Sequence, residues 1–241
     1  MRFSTDKNGF TLIEVLVSMA VLAMIMASVW QGTKQSLDSK ERVEKRDAIF
    51  QGGRVALRKI ADDISMAFLI KSPTERNTTA AVTGTATAEV QTRPRPITFF
   101  IGEDRGERDE VRFTTLSNIR LFKNAKQSDQ AKVSYSAQSD PEDSQVINLV
   151  RTFSPYLDEQ NNVEGSSYVV AENIQEFSVE YYDLRKQEWG RTWNTETIDW
   201  KGRLPRAVRI TLSFPDPEND RESIVLRTAT MIALSAGPIE F

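Results

Sequence analysis

Residues 10–30 place the strongest constraint on this chain. The run "FTLIEVLVSMAVLAMIMASVW" holds 21 residues and one formal charge, the carboxylate of Glu14. A helix of that length rises about 30 Å, enough to cross the hydrocarbon core of a bilayer. Nothing else in the 241 residues is comparable. The sequence therefore predicts one membrane segment followed by a large soluble part. The run starts directly after a polar preface, residues 1–9, that ends in glycine. A carboxylate inside a membrane helix is costly enough to need a partner.

Composition removes several function classes. There is no cysteine and no histidine. Disulfides, thiolate or imidazole metal sites, and Ser-His-Asp or Cys-His catalysis are excluded. The net charge is −3, with no basic block carrying interleaved aromatics, so no nucleic-acid partner is expected. The one Gly- and charge-rich loop, "GEDRGERDE" at 102–110, lacks the Lys-Ser/Thr ending of a P-loop. The protein is therefore not expected to hydrolyse nucleotide itself. No cofactor, metal or small-molecule substrate is expected.

Beyond the apolar run, helix-friendly residues continue through Met66 without a proline. Val43, Phe50, Leu57 and Ile64 recur at every seventh position, and Ile60 adds to the same face. A helix from Phe10 to Met66 would be about 85 Å long. Its second part would lay this stripe on a sheet. Gly32 and the Gly52-Gly53 pair each weaken a helix by roughly 1 kcal/mol per glycine and are expected bend points. Pro73 is expected to end the helical region. The Thr- and Ala-rich stretch at 74–92 reads as a surface loop, and its Asn77-Thr78-Thr79 sequon as chance.

From Ile97 the pattern changes to short alternating runs. Strands are expected at 97–102, 110–116, 131–137, 145–152, 167–171, 174–182, 206–214 and 223–232. In 206–214, Val208, Ile210, Leu212 and Phe214 face one way, with Arg209, Thr211 and Ser213 opposite. In 174–182, Phe177, Val179 and Tyr181 alternate with Ser178, Glu180 and Tyr182. Period two over so many runs argues for antiparallel sheet with one solvated face. "QSDPED" and "LDEQNNVEGSS" read as polar turns. The fold class is α+β: a long N-terminal helix packed on an antiparallel β-rich head.

The N-terminal segment admits three readings. A secretory signal peptide fits the short basic start at Arg2 and Lys7, but its apolar region is usually shorter and ends in an A-x-A-like site. A plain signal anchor explains the length and leaves Glu14 as a mere cost. The third reading is a resemblance. Lys7-Asn8-Gly9-Phe10-Thr11-Leu12-Ile13-Glu14-Val15 resembles the class III signal of type IV pilins and type II secretion pseudopilins. That resemblance implies cleavage after Gly9 by a prepilin peptidase, N-methylation of the new terminus at Phe10, and a subunit-pairing role for Glu14. Cleavage would create an ammonium on Phe10. Glu14 of a neighbouring subunit can neutralise it, removing two charges that are each costly alone. An i,i+4 contact within one helix is the alternative, since Phe10 and Glu14 share a face.

Within that superfamily, "GRLPRAVRITLSF" (202–214) ahead of "ESIVLRTATMIAL" resembles the C-terminal part of the minor pseudopilin J family of type II secretion. "KVSYSAQ" followed by "QVINLVRT" resembles that family's earlier hairpin. The resemblance implies a prepilin leader at 1–9, a transmembrane or filament-core helix at 10–30, and a periplasmic amphipathic helix at 31–72. A loop at 73–96 and a β-rich periplasmic head at 97–241 complete the chain. It further implies a single-pass protein of the bacterial inner membrane. Its partners would be other minor pseudopilins, of the I and K types with the H type a further possibility, in a pseudopilus tip complex. Counting lysine and arginine on the two sides of the span (Arg2 and Lys7 against Lys34, Lys40, Arg42, Lys45 and Arg46) argues against a cytoplasmic N-terminus. The resemblance argues for one. A minor pilin of a type IV pilus and a membrane-anchored periplasmic enzyme or binding module are the alternatives.

Two further features bear on those alternatives. Acidic clusters at Glu103, Asp104, Glu107, Asp109 and Glu110, at 140–143 and at 216–220 lack the spacing of an EF-hand loop and read as solvated turns. Trp189, Trp193 and Trp200 stand close in sequence. Hairpin packing is the preferred reading, an interface anchor the second and a sugar platform the third.

Overall fold

The computed structural model describes residues 11–70, 97–118, 128–158 and 160–236. The leader, Gly9, Phe10, Pro73, the 74–92 stretch and its sequon lie outside them. The chain divides into two compact units, 1–48 and 49–241.

Helix α1, Leu12–Ser65, runs unbroken through Gly32, Gly52 and Gly53. Thr11 caps its start: the Glu14 N–H donates to the Thr11 carbonyl at 3.1 Å and reaches its Oγ1 at 3.4 Å. Thr11 and Glu14 stand at the first and last positions of a Ser/Thr-x-x-Glu capping box. In the first unit every described side chain of α1 is exposed. Val43, the first member of the expected stripe, belongs to this unit and is 58% exposed. The core-facing stripe instead begins with Ile49 and Phe50 and continues through Gly53, Ala56, Leu57, Ile60 and Ile64.

The second unit carries two antiparallel sheets around that stripe. One has six strands in the order β5-β4-β3-β2-β1-β8: β1 Phe100–Glu103, β2 Glu110–Thr115, β3 Ala131–Ser139, β4 Ile147–Ser154, β5 Ser166–Ala171 and β8 Trp193–Asn194. The other has the order β10-β9-β6-β7: β6 Glu176–Asp183, β7 Glu188–Gly190, β9 Ala207–Asp216 and β10 Asn219–Met231. Every expected strand has a counterpart. β7 and β8 were not foreseen, because two- and three-residue strands among charged residues show no alternation. Phe100 stacks on Phe113, Phe113 on Tyr135, and Tyr181 of the other sheet meets Phe100 edge-on at 5.9 Å.

Two expectations need correction. The helix ends at Ser65, before Pro73, and Ala67–Ile70 of the expected amphipathic-helix segment are not helical. Tertiary hydrogen bonds take over there: Ala67 bridges Thr115, Phe68 N–H donates to the Thr114 carbonyl, and Leu116 N–H donates to the Met66 carbonyl. Nor is the second face of the sheets simply solvated. Residues 131–135 of β3 are buried on both faces, Lys132 included. The polar stretch after β4 supplies the cover: Lys132 Nζ donates to Asp158 Oδ1 at 2.7 Å and to the Asn162 carbonyl at 2.9 Å. Ser178, Thr211 and Ser213 are also buried, with Arg227 Nε donating to Thr211 Oγ1 at 3.1 Å.

Gly53 explains itself in this packing. A Cβ there would overlap Leu226 and come within 2.9 Å of Phe214 Cε2. The glycine that reads as a helix breaker is where helix and sheet approach most closely, and Gly52 beside it faces open space.

Candidate functional site

Two surfaces carry the chemistry that the sequence singles out. On the first unit, apolar side chains from Leu12 to Trp30 are exposed all round the helix. This is the one helix among the described residues that is long and apolar enough to cross a membrane. The hydroxyls of Ser18, Ser28 and Thr33 are satisfied internally. Ser18 Oγ donates to the Glu14 carbonyl at 2.7 Å, Ser28 Oγ to Met24 at 2.9 Å and Thr33 Oγ1 to Val29 at 2.9 Å. Such back-bonding hides hydroxyls that lipid could not satisfy. Glu14 lies exposed in the first turn, where a carboxylate also suits the helix dipole. Of the three residues expected at the processing site, it alone is described; Gly9 and Phe10 are not.

On the second unit, the acidic clusters resolve into structural roles. Asp109 is buried; its carboxylate accepts from the N–H groups of Arg105 and Val179 at 2.9 Å each, and burial pushes its carboxyl up. Glu103 and Glu110 bind Arg105 and Arg112 in a four-membered ion network with distances from 2.6 to 3.1 Å. Asp140 accepts from the backbone of Glu142 and from Asn148 Nδ2. Among the described residues no group of three acidic side chains is placed to hold a metal ion.

The tryptophans divide. Trp193 is buried, donates Nε1 to the Arg203 carbonyl at 3.0 Å and packs on Trp200 at 5.5 Å. Trp189 lies outward against Tyr182, with Arg209 4.0 Å above its ring. β7 pairs with β6 in the hairpin that presents Trp189.

One centre has no precursor in the sequence reading. Asp63 of α1 is fully buried. Tyr135 Oη donates to its Oδ2 at 2.6 Å, Arg151 Nε to the same oxygen at 2.7 Å and Lys59 Nζ to Oδ1 at 2.9 Å. Thr115 Oγ1 donates to its main-chain carbonyl at 2.8 Å. Arg151 is flanked by Phe153 and Tyr168, its guanidinium 5.1 and 5.6 Å from their ring centres. Burial raises the Asp63 carboxyl, but the Arg151 charge and the hydrogen bonds from Tyr135, Arg151 and Lys59 outweigh it and hold the group below the usual carboxylate value. Tyr135 and Arg151 lie in the stretches "KVSYSAQ" and "QVINLVRT", but nothing in their spacing links them to Asp63.

The chain matches the family described as "Type II secretion system (T2SS), protein J" over residues 31–226. It belongs to that family. Residues 5–30 separately match the prokaryotic N-terminal methylation motif. The J-family match covers β3, β4, β9 and most of β10, and it decides between the two filament readings: the chain is a minor pseudopilin of type II secretion. No curated protein matches it. Among solved structures, similarity is found to a chain of the GspK-GspI-GspJ complex from the type 2 secretion system of enterotoxigenic Escherichia coli. The identity is 14% and the TM-score 0.47, over 76% of this chain and 96% of that one.

Proposed function

We propose that this J-family protein is a structural component of the pseudopilus tip. It would join minor pseudopilins of the I and K types, with the H type a further candidate, into the complex that starts pseudopilus assembly and supports export of folded proteins across the outer membrane. Its work is assembly, not catalysis. It would sit in the bacterial inner membrane with its head in the periplasm. The observation that carries this reading is the J-family match over most of the head and the soluble part of the helix. The methylation motif on an exposed apolar helix supports it. The test mixes protein lacking residues 1–33 with the soluble parts of the other minor pseudopilins and measures mass by light scattering. A stable heteromer is expected, with a standard interface of about 1,600 Å² in total. A chain that stays monomeric with all of them, or assembles only with itself, overturns the tip role.

Maturation follows from the same reading. A prepilin peptidase would cut after Gly9 and methylate Phe10. Intact-mass analysis of membrane-extracted protein should show loss of residues 1–9 and one added methyl group. A mature chain that starts at Met1, or is cut beyond Trp30, contradicts this. Replacing Gly9 with a bulky residue should leave precursor in the membrane.

Glu14 would pair with the Phe10 ammonium of a neighbouring subunit. Glu14→Leu should insert into the membrane at least as well as wild type, because it removes a charge from an apolar surface. It should recruit to its partners less well, because the ammonium loses its counter-ion. Wild-type recruitment and secretion by this variant would show that Glu14 serves only to start the helix.

A further inference from the structure

Several charged side chains of the second unit are paired as described above. A groove beside the four-stranded sheet is different. Its walls come from the β6–β7 turn, the loop leading into β9 and the chain just after β10, and it encloses about 530 Å³. Three guanidinium groups line it, those of Arg185, Arg203 and Arg206, against one carboxylate, Asp183.

Asp183 is already committed. Its Oδ1 accepts from the Arg185 N–H at 2.9 Å and stands 3.5 Å from Arg203 Nη1. Arg203 also donates to the Asp199 carbonyl and lies over the Trp193 ring, so it forms part of the wall. The other two cations are left over. The Arg185 side chain is exposed and makes no ion pair or hydrogen bond to the described residues. Arg206 is exposed too; its Nη1 donates to the neutral Ser235 Oγ at 3.0 Å, and no carboxylate among the described residues pairs with it. Its backbone is fixed, with its N–H on the Tyr182 carbonyl and its carbonyl accepting from Ile232. The apolar part of the lining is exposed Leu184, together with buried Trp193 and Leu204.

We infer that this groove docks an acidic segment of another minor pseudopilin. Carboxylates of that segment meet Arg185 and Arg206, and an apolar side chain beside them lies on Leu184. The charge balance among the described residues selects the occupant: three guanidiniums against one carboxylate repel a basic segment and leave a neutral one with two unmet charges. Planar guanidinium forks suit carboxylates, which they can bind through two parallel hydrogen bonds. Arginine is also among the residue types that anchor protein interfaces. The inference rests on the proposed tip role.

The experiment uses the full chain in detergent, co-expressed with the other minor pseudopilins. Arg185→Glu with Arg206→Glu should recover at least about ten-fold less partner than wild type. Arg185→Lys with Arg206→Lys should stay within about three-fold. Wild-type association should weaken as salt rises, and the reversed pair should show little salt dependence. A melting curve checks that the reversed protein is folded; if it is not, R185Q with R206Q supplies the same comparison at lower amplitude. Wild-type recovery by the folded double variant overturns the groove and leaves the tip role standing. If wild type recovers no minor pseudopilin, both fall. If the reversal leaves assembly intact but abolishes binding to vesicles of acidic phospholipid, the occupant is a membrane surface and the inference is wrong.

Discussion

Asp63→Ala should destabilise the head by about 3–5 kcal/mol, the range for removing one partner of a buried ion pair. The reason is what stays behind. The Arg151 side chain is 6% exposed and would keep its charge with no carboxylate beside it. Tyr135 Oη would lose its acceptor as well. Urea unfolding of protein lacking residues 1–33, at neutral pH, measures the loss. Replacing the whole centre, Asp63→Leu with Tyr135→Phe and Arg151→Met, should recover most of it, because the desolvation cost goes when all the polar partners go. A single-variant loss below about 1 kcal/mol, the range of surface pairs, would show that the centre is solvated. The pH dependence has a fixed sign. Asp63 is held below its ordinary value in the folded protein, so its contribution is complete above the unfolded carboxylate range, near 4. It is lost as pH falls through the lower, folded value. Asp63→Ala should therefore flatten the acid limb of the stability profile and leave the neutral region parallel to wild type.

The second large effect is expected at Gly102. A Cβ built on this β1 residue would overlap Tyr181 Oη and Cζ. The Tyr181 ring cannot withdraw easily: it is buried and held edge-on to Phe100. Gly102→Val should cost about 1–3 kcal/mol or more through overpacking, read as a fall in the urea midpoint. Tyr181→Phe makes the control. Among the described residues its buried hydroxyl has no hydrogen-bond partner, so removing it should be neutral or slightly stabilising. If Gly102→Val unfolds at the wild-type midpoint, the two sheets are not packed as tightly here as the geometry requires.

These two positions mark where sequence reading stops. Val208, Ile210, Leu212 and Phe214 reveal their strand because period two is written in four consecutive alternations, and all four are buried. Leu57, Ile60 and Ile64 reveal the core-facing side of α1 in the same way. Asp63 looks like one more solvated charge on that helix, and its partners are 72 and 88 residues away. Spacing along the chain cannot report a contact at that distance. Gly53 and Gly102 fail for a related reason: a missing side chain shows its use only once the atoms that fill its space are in place. Lys132 misleads in the opposite sense, since a lysine in a strand reads as the wet face until Asp158 and Asn162 accept its ammonium. In the candidate site, the membrane-length helix and Glu14 were legible, because an apolar run with one acid is a local pattern. The groove was not, because Arg185, Arg206 and Ser235 come from three separate segments.

The hydroxyls of α1 carry a last consequence. A filament subunit must exchange one solvent for another: its helix leaves lipid and enters a core made of other helices. Ser18, Ser28 and Thr33 already spend their protons on carbonyls one turn back. They present nearly the same surface to both phases, so they add little to the free energy of transfer. The apolar side chains are equally indifferent, since lipid tails and packed leucines are alike in polarity. Among the described residues of the run, Glu14 alone carries a charge and distinguishes the two media. On the proposed pairing, a neighbouring subunit supplies its cation in the filament, and the partition of this helix between membrane and filament is then weighted on a single carboxylate.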